Sequence, residues 1–389
     1  MDGERTGSGS VETLLAAKEI LITCGAGGVG KTTVAAALAT MAAVRHGGKV
    51  LVLTIDPARR LADALGLDGF GDKEKQVSPE AFGAAGVAPR GELWAAMLDT
   101  KQSWDDLVRR HAPNRRTAER ILSNKLYENV TGRFVQSHEY IAMERLYQLH
   151  RDGNYDLIVV DTPPTRNALD FVEAPVRMAE FFSSRFLRIL SAPYRSNVVS
   201  FASRPFLSAA DRILGSQFLQ DIAEFFSLFQ TMAPGFVERA EAVNRVLHEK
   251  RTSFVVVATL EAAPVREAEY FIDVLSAKKF HMGAVVLNKV LPSYLLDEKA
   301  ARTATALEKG ADRVAVAAGD GAGEEAQVSR VLTEVAESFL RFQVVAQREA
   351  EQRAEMSVGA GVVASVPFFD TDIHDLAGLL RLGEQLWST

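Results

Sequence analysis

The sequence predicts a doubly wound, mostly parallel α/β sheet with an inserted helical subdomain. Two observations carry this. Short, near-continuous apolar runs alternate with helical patterns along the chain, the signature of strands buried on both faces of a parallel sheet. The first run also feeds a glycine-rich turn followed by an alanine-rich helix, the opening unit of such folds.

In chain order, residues 1–10 are polar and predict a disordered leader. Strands are predicted at Glu19–Cys24, Lys49–Thr54, Asp156–Val160, Ser253–Thr259 and Met282–Asn288, with weaker ones at Glu92–Leu98 and Gly361–Val366. Two stretches exceed a minimal α/β core: 101–151, helical and charged, and 171–251, helical and aromatic. Eleven of the 21 phenylalanines lie between Phe171 and Phe236, which marks this second stretch as a separate packing unit. Both stretches are assigned to the helical subdomain, and 11–100, 152–170 and 252–389 to the nucleotide-binding domain. The Ala/Gly/acid stretch Gly310–Glu325 predicts a surface loop, and a long charged helix is expected over about Gln327–Arg353.

With 389 residues, 47% of them hydrophobic, the chain suits one nucleotide-binding domain plus an insertion. A net charge of −6 argues against nucleic acid as a partner, because phosphate tracking needs a basic face. One cysteine, Cys24, leaves no intrachain disulfide or cysteine metal cluster. With no apolar signal segment the expected location is cytoplasmic, any membrane contact being peripheral.

Gly25–Ala26–Gly27–Gly28–Val29–Gly30–Lys31–Thr32–Thr33 satisfies G-x-x-x-x-G-K-[ST]. Its glycines let backbone N–H groups close around phosphates at a helix N-terminus. Lys31 is expected to reach the β- and γ-phosphates of ATP, and the Thr32 hydroxyl to ligate Mg²⁺. Asp56 and Asp161 each end a predicted strand, where ligand groups sit in open α/β sheets. One is expected to orient the attacking water and the other to hold Mg²⁺ or its waters.

At these residues the chain resembles the arsenite-pump and tail-anchored-protein-targeting ATPase family (ArsA/GET type), of the deviant Walker A class. The matching segments are GGVGKTT at Gly27–Thr33, DPARRLADAL at Asp56–Leu65, DTPPTRNALDF at Asp161–Phe171, VVVATLEAAPVREAEYFIDVL at Val255–Leu275, VVLNKV at Val285–Val290 and VPFFDTDIHDLAGL at Val366–Leu379. The resemblance implies that Asp56 positions the hydrolytic water and that Asp161 sits near Mg²⁺. It implies that Asn288 reads adenine, that Glu261 contacts nucleotide from a dimer interface, and that Pro367 and Phe368 pack on the base. It also implies a dimer, since the chain carries one P-loop, either of identical chains or with a paralogue.

Three departures qualify this. Where the family usually has lysine in the loop, this chain has Ala26, so hydrolysis is slow, or Arg59, Arg60 or Arg166 substitutes, or a lysine-bearing paralogue completes the site. The C-x-x-C zinc pair of the targeting branch is absent. A single cysteine cannot build the thiol site for arsenite. Residues 181–215 carry a net charge of +4 amid aromatic side chains, which reads either as a groove for a hydrophobic helix or membrane partner, or as a core with a solvated arginine face. The alternatives to a client-handling ATPase are an ATP-binding scaffold with little turnover and a soluble motor subunit of an anion transporter.

Overall fold

A computed structural model describes residues 10–55, 60–67, 73–124, 126–127, 137–163, 168–184, 224–318, 325–356 and 361–388. Eight strands form one sheet: β1 (Ile20–Cys24), β2 (Lys49–Thr54), β3 (Lys75–Gln76), β4 (Glu92–Met97), β5 (Leu157–Asp161), β6 (Thr252–Ala258), β7 (Met282–Val290) and β8 (Val363–Pro367). Their order is β3-β4-β2-β5-β1-β6-β7-β8. Every pairing is parallel except β3 with β4. The doubly wound α/β expectation therefore holds. Each expected strand is present within two residues at either end, β4 as a full member and β3 as an unforeseen edge.

The central strands are buried on both faces, which explains their unbroken apolar runs. Successive residues serve opposite cores: Ile20 and Ile22 with Leu51 and Leu53 on one side, Leu21 with Val50 and Val52 on the other. The second core is closed by the helix Lys31–Arg45, in which residues 34–43 are all buried. Its alanines let it lie close to the sheet. The C-terminal helix Leu376–Trp387 packs on it so tightly that a Cβ on Gly383 would fall 2.3 Å from Met41 Cγ.

The first core is covered by the helices Ser137–Asp152, Ala168–Ser183, Ala233–His248 and Ala262–Ala277. It extends into the helices Thr100–His111 and Arg115–Leu122 through Trp104, Tyr140, Phe182, Phe225, Phe229 and Phe236, whose rings pack on one another. For these phenylalanines the core reading holds. The basic and aromatic stretch 185–223 lies outside the described residues, as does the leader over 1–9.

One expectation is corrected. The segment read as a loop from Gly310 is helical as far as Ala318, within the helix Glu298–Ala318. Its alanines favour helix strongly enough to absorb Gly310. The long helix beyond it runs Glu325–Met356.

Candidate functional site

The glycine-rich turn leaves the carboxyl end of β1, between β5 and β6. Gly25 has φ +146°, and a Cβ there would fall 2.0 Å from the Val257 carbonyl oxygen of β6, so the turn requires glycine. Val29 is buried and anchors the middle of the loop, while Gly27 and Gly28 face outward. Gly30 caps the helix Lys31–Arg45 in the left-handed region, with no side-chain cap hydrogen bond of its own. The first-turn N–H groups form an anion-binding end in front of a cleft. Lys31 is buried and folds back over the loop, its Nζ donating to the Ala26 carbonyl at 2.8 Å. The Ala26 methyl is itself buried.

Asp161 ends β5 fully buried. It pairs in register with Thr23 of β1 and Thr54 of β2, so three strand ends meet at one level. Its Oδ2 accepts from Thr32 Oγ1 at 2.7 Å and from Thr54 Oγ1 at 2.9 Å. Thr162 is fixed by donating to the Thr23 carbonyl at 2.7 Å. The hydroxyl and carboxylate expected to serve a metal thus lie together at the loop. A hydroxyl oxygen beside a carboxylate suits the hard, oxygen-seeking Mg²⁺, which keeps water and phosphate oxygens as its other ligands. Among the described residues no group of three or more His, Cys, Asp or Glu is placed to hold a metal. Asp56 lies outside the described residues, as do Arg59 and Arg166. The backbone immediately before Asp56 is nonetheless fixed to the site, because Ile55 N–H donates to the Asp161 carbonyl at 3.1 Å. Burial pushes the Cys24 thiol well up, and it stays a weak donor to the Val255 carbonyl.

The cleft in front of the loop has a volume of about 690 Å³. Gly28, Gly30, Lys31, Thr32 and Thr33 form one wall, and Asn288, Lys289, Pro367 and Phe368 another. Asn288 is buried; its Nδ2 donates to the Val29 carbonyl at 2.8 Å and its Oδ1 accepts from Lys289 N–H at 3.0 Å. Its amide therefore braces the phosphate loop and still borders the cleft. Phe368 is 56% exposed, and its N–H donates to the Val290 carbonyl at 2.9 Å, which ties β8 to the end of β7. The sequence reading did not single out Lys289, Thr162, Phe369 or Asp372, which also line the cleft. Proximity to the VVLNKV, DTPP and VPFFDTD segments was the available signal.

Glu261 is exposed at the start of the helix Ala262–Ala277 and does not line this cleft. Burial raises the pKa of Glu349 first, the hydrogen bond from Leu291 opposes it, and the Glu261 charge adds a smaller upward push. The Glu349 carboxylate accepts from Leu291 N–H at 2.9 Å, just past the Asn288 turn.

Residues 18–311 match the family described as Anion-transporting ATPase (ArsA_ATPase). Among curated relatives, the chain is 25% identical over 301 residues to a protein of Aquifex aeolicus provisionally named arsenical pump-driving ATPase 1, covering 72% of this chain and 65% of that one. It is 27% identical over 270 residues to ATPase ASNA1 homolog 2 of Paramecium tetraurelia, covering 69% and 74%. It is 25% identical over 270 residues to ATPase get3 of Aspergillus terreus, covering 69% and 72%. The match thus spans just under two thirds of the Aquifex protein and nearly three quarters of the other two.

Proposed function

The chain belongs to the anion-transporting ATPase family, and from that premise we propose that it is a Mg²⁺·ATP-dependent, dimeric switch whose helical subdomain handles a hydrophobic client or membrane partner. The observation that carries the reading is the Thr32–Asp161 contact of 2.7 Å, set at the mouth of a cleft that the open helix N-terminus also faces. Mg²⁺, when bound with the nucleotide, would neutralise phosphate charge. Thr32 and Asp161 would hold it or its waters, and the N–H groups of Gly27–Thr33 would bind the phosphates. Lys31 would exchange the Ala26 carbonyl for the β- and γ-phosphates. Asp56 would orient the water. Asn288, Pro367 and Phe368 would border the base, and Glu261 would reach nucleotide across the dimer.

Client handling is supported by the resemblance of the sequence to the tail-anchored-protein-targeting ATPases and by the helices Thr100–His111, Arg115–Leu122 and Ala233–His248, which exceed a minimal α/β core. Among the described residues no helix is long and apolar enough to cross a membrane. A second reading, a nucleotide-binding scaffold with little turnover, is favoured by Ala26, whose buried methyl offers no cation to a neighbouring site.

ATP affinity measured with and without Mg²⁺ tests the site. The wild type is expected to bind at least tenfold more tightly with Mg²⁺, and Asp161→Asn and Thr32→Ala to lose most of that difference. Equal Mg²⁺ dependence in all three proteins would remove these residues from the metal's surroundings. For the client reading, a fluorescent hydrophobic helix is expected to bind differently to the apo, ATP and ADP states; equal binding in all three would refute it.

A further inference from the structure

The helices Glu298–Ala318 and Glu325–Met356 pack side by side as a hairpin outside the sheet. The second helix turns Ala336 and Ala346 inward, both buried, and Leu332 and Phe339 share that face. It also has a second apolar row. Val331, Val335, Phe342 and Val345 are 49%, 58%, 54% and 45% exposed. With Val328 before them and Ser338 among them, the row runs 328, 331, 335, 338, 342, 345, in steps of three and four. That alternation is the period of a coiled-coil seam. A helix that only covers a globular core needs one apolar face; this one carries two.

We propose that this row is a seam at which two copies of the chain associate, the helix Glu325–Met356 of one lying antiparallel on the same helix of the other. This deepens the dimer reading above, on which it rests for taking a second copy as partner. The argument for a second copy is self-complementarity. In an antiparallel register, Val331 falls opposite Phe342, Val335 opposite Ser338 and Val328 opposite Val345, each contact occurring twice by symmetry. The positions flanking the seam then oppose Glu334 to Arg341, again twice. A parallel pairing would set these charges against Phe339 and Ala346 instead. Among the described residues neither charge has a strong partner: Glu334 is 3.9 Å from Arg330, and Arg341 donates to Ser338 Oγ at 3.2 Å. This helix lies beyond the family match, which ends at residue 311.

The test is sedimentation velocity on the full chain without nucleotide, over a dilution series, with circular dichroism to verify folding. The wild type is expected to dimerise, and Phe342→Glu to weaken dimerisation at least tenfold. Glu334→Arg and Arg341→Glu should each weaken it, and the double variant should restore it. A wild type that stays monomeric without nucleotide would overturn the proposal, as would a dimer indifferent to Phe342→Glu or a double variant as weak as the singles. ATP-induced association that survives Phe342→Glu would keep the dimeric switch while removing the helix seam, so the two readings fail separately.

Discussion

Asn288 fills the space that a side chain on Gly30 would need. A Cβ built on Gly30 would fall 2.3 Å from Asn288 Nδ2, and the same amide nitrogen holds the loop by donating to the Val29 carbonyl. The end of β7 and the turn into the phosphate-loop helix are therefore shaped as one piece. The nucleotide cleft keeps its form because two segments far apart in sequence exclude any larger residue between them.

Gly30→Ala is expected to cost about 1–3 kcal/mol of stability, from the clash and from its φ of +93°. ATP affinity should fall at least tenfold. Adding Asn288→Ala should recover part of the stability, because it removes the clash and leaves the backbone strain. Thermal melts of the two single variants and the double variant check this; strict additivity would mean that the two residues do not collide.

Glu144 and Arg239 join the helices Ser137–Asp152 and Ala233–His248 deep in the first core. Arg239 Nε donates to Glu144 Oε1 at 3.0 Å, Nη2 donates to the same oxygen, and the guanidinium lies 4.5 Å from the centre of the Tyr147 ring. Both residues are buried. Glu144→Ala leaves a buried, unpaired cation and is expected to cost about 3–5 kcal/mol. Replacing both with apolar residues of similar volume should cost much less. A chemical denaturation series measures the two, and equal losses would contradict the pairing argument.

The His111 ring lies tilted against Phe236 with ring centroids 5.9 Å apart, and its pKa is held below the usual value by burial first, then by Arg239 and Arg110. The unfolded chain takes up this proton near pH ~6.5, the folded chain only at lower pH. Between the two values the unfolded state binds more protons, so stability falls as pH drops through that window. His111→Leu should flatten the decline in melting temperature between pH 7 and 5. An unchanged slope would assign the acid sensitivity to other groups.

Much of the fold was legible because the central strands are buried on both faces and so read as unbroken apolar runs, as in Thr252–Ala258, where every residue is buried. The edge pair Lys75–Gln76 was not legible, since two polar residues carry no period. Over Gly310–Ala318 composition suggests a loop, and helix propensity prevails. At the site, Thr32 and Asp161 could be named from a motif and a strand end, and they do meet. Lys289 could not be named: its φ of +59° is the conformation that glycine usually marks, and here a lysine adopts it. The bracing role of Asn288 was also hidden, because a side-chain bond to the Val29 carbonyl needs the β1–β6–β7 order to bring the segments together.

The most direct test of the central claim is steady-state ATP hydrolysis by the purified full-length chain with Mg²⁺, beside Lys31→Ala as the blank. A rate at least tenfold above the blank is predicted, and it would mean that the site is complete with Ala26 in the loop. A rate equal to the blank, with ATP still bound, would contradict the switch and leave a nucleotide-binding scaffold in its place.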